Sequence, residues 1–137
     1  MGHEGESTMR NCITSVFVDD QDMELRFYTD VVGFVAKTEV PLGEHPWLTV
    51  VSTQDPAGVE LLGEWGSHRA VGPYMEALIA GGIPFASFAV DDVPREVERL
   101  TSLGVTLIQE TLQMVPAATL VLDDACRNLV QIARHRR

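Results

Sequence analysis

Ser15-Val16-Phe17-Val18-Asp19-Asp20 recurs 72 residues later as Ser87-Phe88-Ala89-Val90-Asp91-Asp92. Each copy is an apolar, partly β-branched run, which suits a half-buried strand, and each stops at paired aspartates. A carboxylate there can accept from the free amides of a first helical turn. Helical spacing follows in both places. Met23, Leu25, Phe27, Tyr28 and Val32 run up to Gly33, and Val93, Val97 and Leu100 run up to Gly104. The spacing predicts two amphipathic helices closed by glycine, the first with Gln21, Asp22, Glu24 and Arg26 toward water.

Three short strands are expected after each helix. Residues 34–40, 47–52 and 58–62 are apolar runs divided by the turn-rich stretches 41–46 and 53–57, and residues 105–110, 117–122 and 129–133 form the second set. Strand, helix and three strands thus occur twice. Residues 1–10 read as a disordered tail and 11–134 as one domain: module 1 over about 11–63, a connector helix region at 64–83, and module 2 over about 84–134. Two copies are too few for a solenoid and predict a paired, pseudo-twofold α+β arrangement. Each sheet would bury one face under its helix, and the remaining faces would line a cleft.

The 137 residues are 45% hydrophobic, enough for one sizeable core. A net charge of −10 opposes binding to nucleic acid or to an anionic membrane surface. Cys12 and Cys126 stand near opposite ends with no CxxC, which fits reduced thiols and a cytoplasmic location. Residues 1–10 contain no apolar signal-like run, and no later run approaches a membrane span.

Val18-Asp19-Asp20-Gln21-Asp22, Phe27-Tyr28 and Val32-Gly33-Phe34 resemble the opening of the glyoxalase, bleomycin-resistance and dioxygenase proteins, the vicinal-oxygen-chelate superfamily. Phe88-Ala89-Val90-Asp91-Asp92-Val93, Leu103-Gly104-Val105 and the run Asp123-Asp124-Ala125-Cys126-Arg127-Asn128-Leu129-Val130-Gln131 resemble its second module and closing hairpin, with Arg127 where the family usually has glycine. The resemblance implies two βαβββ modules forming a pair of half-barrels, a homodimer and a small-molecule site. Metal-dependent members hold a divalent ion on the first and last strand of each module. Projected onto this chain, the first-strand positions fall on Ile13 and Phe85, which cannot ligate, and the last-strand positions on Glu60 and Gln131. One carboxylate and one amide make a poor cage, so no cofactor is expected, with a divalent metal as the lesser alternative.

Strand alternation adds Ser15 and Ser87 to the face of Ile13 and Phe85, either as hydrogen-bond donors to a ligand or as small spacers. Glu60 is the best candidate for a cavity acid, against the reading that it points outward from its strand. Gln131 would contact a ligand or simply partner Glu60 or backbone across the cleft. Trp47 would stack on a planar ligand or cap the core, and Met114 would add apolar contact. Trp65 and Tyr74 would close over the cleft or serve a subunit contact. His3, His45, His68 and His135 share no ligand spacing.

Three functions compete. The first is metal-free binding of a small, partly apolar molecule, with the acidic balance favouring a cation. The second is a divalent-metal-dependent lyase, isomerase or dioxygenase acting on a small oxygenated substrate, for which no catalytic residue beyond Glu60 can be named. The third is a structural or regulatory module whose cleft is filled by its own side chains.

Overall fold

Asp20 and Asp92 cap their helices as the repeat predicts: their Oδ1 atoms accept from Met23 N at 3.0 Å and Arg95 N at 3.1 Å. The computed structural model describes residues 8–111, 119–124, 126 and 128–134. The expected tail up to residue 7, Met114, Arg127, His3 and His135 lie outside the described residues. The first module runs β1 (Ile13–Val18), α1 (Gln21–Arg26) with a π-helical continuation (Phe27–Val32), β2 (Val35–Val40), β3 (Trp47–Val51) and β4 (Glu60–Trp65). After α2 (Val71–Ala80) the second runs β5 (Ala86–Val90), α3 (Val93–Ser102), β6 (Leu107–Thr111), β7 (Thr119–Asp123) and β8 (Leu129–Arg134).

Each module folds into a four-stranded sheet, ordered β1-β4-β3-β2 and β5-β8-β7-β6. The first and last strands of each module pair in parallel and the rest antiparallel. β4 reaches Trp65, so module 1 extends past the expected boundary and Trp65 is a strand residue rather than part of a connector.

The helices differ by one residue between cap and terminating glycine: Asp20 to Gly33 is one longer than Asp92 to Gly104. The π-helical segment absorbs the extra residue, and Gly33 closes it in the left-handed region at φ 91°. Within α1 the inward face differs from the expected one. Glu24, expected in water, is only 5% exposed, whereas Met23, expected inside, is 41% exposed. The physical reason is close approach. Gly63 on β4 has no side chain, and a Cβ there would collide with the Glu24 carboxylate. Gln21 turns inward as well and donates to the carbonyls of Pro46 and Gly63, both at 3.1 Å.

Both sheets contribute their helix-bearing faces to one core: Val16, Val18, Tyr28, Val50 and Leu61 from the first module, and Leu100, Leu120, Leu122, Val130 and Ile132 from the second. Tyr28 is fully buried at the junction, with ring centroids 6.3 Å from Phe34 and 6.2 Å from Phe88. Its hydroxyl donates to Asp124 Oδ2 at 3.1 Å. The other oxygen of Asp124 accepts from Cys126 N at 2.8 Å and Asn128 N at 3.1 Å, which folds the β7–β8 turn around the carboxylate. Asn128 then donates through Nδ2 to the Phe17 carbonyl at 2.8 Å. The turn of one module is thereby fastened to the first strand and helix of the other.

This junction collects titratable groups away from water. Burial, helped by the nearby Asp124 carboxylate, pushes the Glu24 carboxyl up to about 8, and burial above all pushes the Cys126 thiol up to about 12. Burial raises Asp124 too, against the opposing effect of the hydrogen bonds it accepts. Folded Glu24 therefore holds its proton to about pH 8, whereas the unfolded chain releases it near 4.5. Between these values the folded state binds more protons, so stability is greatest at the acid end and falls as pH rises, by up to about 1.4 kcal/mol per pH unit. Urea denaturation across pH 5 to 8 should show this decline, and Glu24→Gln should remove most of it. A pH-independent midpoint in the parent chain would contradict the assignment.

Candidate functional site

Period-two alternation sends the side chains of Ile13, Ser15 and Phe17 away from the core, since Val16 and Val18 between them are buried in it. Register carries this face across the sheet. Ile13 lies beside Glu60 and Ser15 beside Leu62 on β4, Leu62 is opposite Thr49 on β3, and Thr49 is opposite Thr38 on β2. Trp47 shares the face by alternation with Thr49. This is the face turned away from the shared core.

Glu60 is the polar centre of that surface. Its Oε1 accepts from Thr49 Oγ1 at 2.7 Å and from Thr38 Oγ1 at 3.4 Å. Glu60 is half-buried and Thr49 fully buried, so the carboxylate is oriented by hydroxyls from two neighbouring strands. Ile13 and Trp47 flank this polar group on the exposed part of the face, each 36% accessible. The sheet thus offers apolar contact beside one directed carboxylate, the combination that small-molecule sites use. The two threonines were not singled out in the sequence, because a register shift between Ala36 and Thr38 is what brings Thr38 beside Thr49.

The second sheet holds the remaining candidates. Ser87 pairs with Gln131 on β8, and Gln131 is opposite Val121 on β7. Phe85 precedes β5, with its amide donating to the Leu129 carbonyl at 2.9 Å, and its side chain packs against the core cluster. Ile13, Ser15, Trp47 and Glu60 therefore gather on one sheet, and Ser87 and Gln131 on the other. Because the helix-bearing faces meet at the core, the chain does not bring these groups into one internal cleft.

The register also separates the two last-strand positions. Glu60 pairs with Ile13, but Gln131 pairs with Ser87, so within the repeat Gln131 is matched by Leu62 and Glu60 by Leu129. A divalent ion of the family type would need donors on both the first and last strands. Here the Glu60 carboxylate stands beside an isoleucine and Gln131 beside a serine, and among the described residues no group of three His, Cys, Asp or Glu side chains is placed to hold a metal ion. This donor set does not fit such an ion.

The remaining aromatic candidates take local roles. His45 stacks on Trp65 with ring centroids 4.2 Å apart, and Tyr74 on α2 meets Phe17 edge-on at 6.4 Å. His68 accepts from Ala70 N at 3.0 Å and shapes the approach to α2. Cys12 is exposed and Cys126 buried, both as free thiols. Among the described residues no helix is long and apolar enough to cross a membrane.

Two βαβββ modules, each presenting an open sheet face and fused through a common core, define the class. Residues 11–132 match the Glyoxalase/Bleomycin resistance protein/Dioxygenase superfamily, and the chain belongs to that family. The Uncharacterized protein YurT of Bacillus subtilis (strain 168) is 42% identical over 126 residues, which span 92% of this chain and 99% of that protein. Among solved structures, UcmS2 superposes with a TM-score of 0.81 at 25% identity, covering 94% of this chain and all of that one. TnmS3, an antibiotic binding protein from Streptomyces sp. CB03234, superposes with a TM-score of 0.73 at 23% identity, covering 98% of this chain and all of that one.

The orientation of Glu60 yields a direct test. Thr49→Val keeps the side-chain shape and removes the hydroxyl that the carboxylate accepts from. It should cost about 1–3 kcal/mol in urea unfolding. An unchanged midpoint would mean that Glu60 is held by something else.

Proposed function

We propose that this protein binds a small, partly apolar organic molecule without a metal, on the open face of the first sheet. The carrying observation is the Glu60 carboxylate, oriented by Thr49 and Thr38 beside the exposed Ile13 and Trp47. The fixed carboxylate selects orientation and charge, and the apolar neighbours contribute affinity by leaving water. The net charge of −10 favours a ligand with a basic group. The description of TnmS3 as an antibiotic binding protein supports a binding role on this scaffold.

A single open sheet face cannot enclose a ligand, and exposed apolar residues on it favour cover by another surface. A homodimer in which a second copy covers the face, with Ser15, Ser87 and Gln131 as polar contacts, completes the reading. Free thiols at Cys12 and Cys126 accord with a cytoplasmic setting.

Incubation with zinc, manganese, nickel and iron followed by metal analysis should leave no stoichiometric ion bound. Stoichiometric metal that disappears in Glu60→Ala would replace this reading with a metal-dependent lyase, isomerase or dioxygenase. In a thermal-shift screen of small organic bases, hits should also change the fluorescence of Trp47 and bind about tenfold more weakly to Glu60→Ala, a loss on the order of 1.4 kcal/mol. Hits insensitive to that substitution would place the ligand elsewhere.

A further inference from the structure

The two modules do not treat their junctions alike. At one, the five-residue turn between Asp123 and Leu129 tucks against the other module through Asp124, Cys126 and Asn128. At the pseudo-equivalent place the turn between Val51 and Glu60 has eight residues and closes on itself. Asp55 N donates to the Ser52 carbonyl at 3.2 Å, Gly58 N to the Asp55 carbonyl at 2.9 Å, and Lys37 Nζ to the Pro56 carbonyl at 2.8 Å. The groups that make the first junction solid are also replaced. Leu100 stands 72 residues from Tyr28 and Ser52 from Asp124, and the strand register puts Val59 in the place of Asn128, so the phenol, the carboxylate and the amide have no counterparts.

What remains between Ser52–Gln54 and α3 is a cavity of about 500 Å³, within the range that takes a small organic ligand. It lies on the helix side of the sheets, apart from the face that carries Glu60. Phe34 and Phe88, with centroids 5.2 Å apart, line it together with Ile132. Its charged groups are Asp91, Asp92, Glu96, Arg95 and Arg99. Arg99 is paired to Glu96, and Asp92 spends one oxygen on the α3 cap, which leaves Asp91 and Asp92 against Arg95 around an aromatic floor. The balance is negative locally, as it is for the whole chain. Aromatic rings and an unneutralised carboxylate both favour a cation over an anion.

We propose that this open junction is a second binding site, which takes a planar aromatic cation with its ring against Phe34 and Phe88 and its positive charge at Asp91. The repeat supplies the reason for its existence: the space is the one that Tyr28 and the Asp124 turn occupy at the other junction.

Proflavine, a planar aromatic cation, is a suitable probe by fluorescence titration on the full chain, with the anion 1-anilinonaphthalene-8-sulfonate as comparison. Proflavine should bind saturably, one per chain, and the anion more weakly. Asp91→Asn, a surface change, should weaken proflavine up to about fivefold. Leu100→Tyr, which builds the missing ring into the cavity, should abolish binding. Absence of saturable binding, equal affinity for the anion, or indifference to Asp91→Asn would overturn the proposal. Loss of binding in Glu60→Ala would also overturn it by placing the dye on the open sheet face. If Leu100→Tyr does not fold, Asp91→Asn and the anion comparison decide.

Discussion

The hydrogen bond from Tyr28 to Asp124 joins two fully buried residues 96 positions apart, and the arrangement of the two modules depends on it. An unpaired carboxylate or phenol at that depth would cost several times the net worth of one hydrogen bond. Asp124 satisfies its own turn through the amides of Cys126 and Asn128 and then accepts from the other module, so the local turn and the inter-module contact stand or fall together. Phe34 and Phe88 pack around the Tyr28 ring and extend the contact into the shared core.

Fusing the modules through their helix-bearing faces has a functional consequence. The opposite faces stay outside that core; α2 meets the first of them at Phe17, and its part with Glu60, Ile13 and Trp47 combines an oriented carboxylate with accessible apolar surface. The family's metal scheme requires ligating side chains on adjacent first and last strands. In this chain Glu60 stands beside Ile13, a donor set that does not fit that scheme.

The repeat of apolar strand, paired aspartates and glycine-closed helix made both modules legible in the sequence, because capping and period are local properties. Its failures are equally physical. Glu24 sits among polar neighbours and reads as a surface residue, but its burial depends on the absence of a side chain at Gly63, 39 residues away. The Tyr28–Asp124 contact has no local signature at all, since it pairs the helix of one module with the turn of the other. Glu60 could be singled out through the family resemblance, whereas the threonines that orient it emerge only when β2, β3 and β4 are in register. The same register showed that Glu60 and Gln131 are not equivalent within the repeat, a shift produced by the longer turn after β3.

A double-mutant cycle on Tyr28→Phe, Asp124→Asn and the double variant, measured by urea unfolding, tests the inter-module contact most directly. The structure predicts a coupling energy of about 1 kcal/mol or more, with one cooperative transition for both modules in the parent chain. Additive effects, or a parent chain whose modules unfold separately, would contradict an architecture held together at that junction.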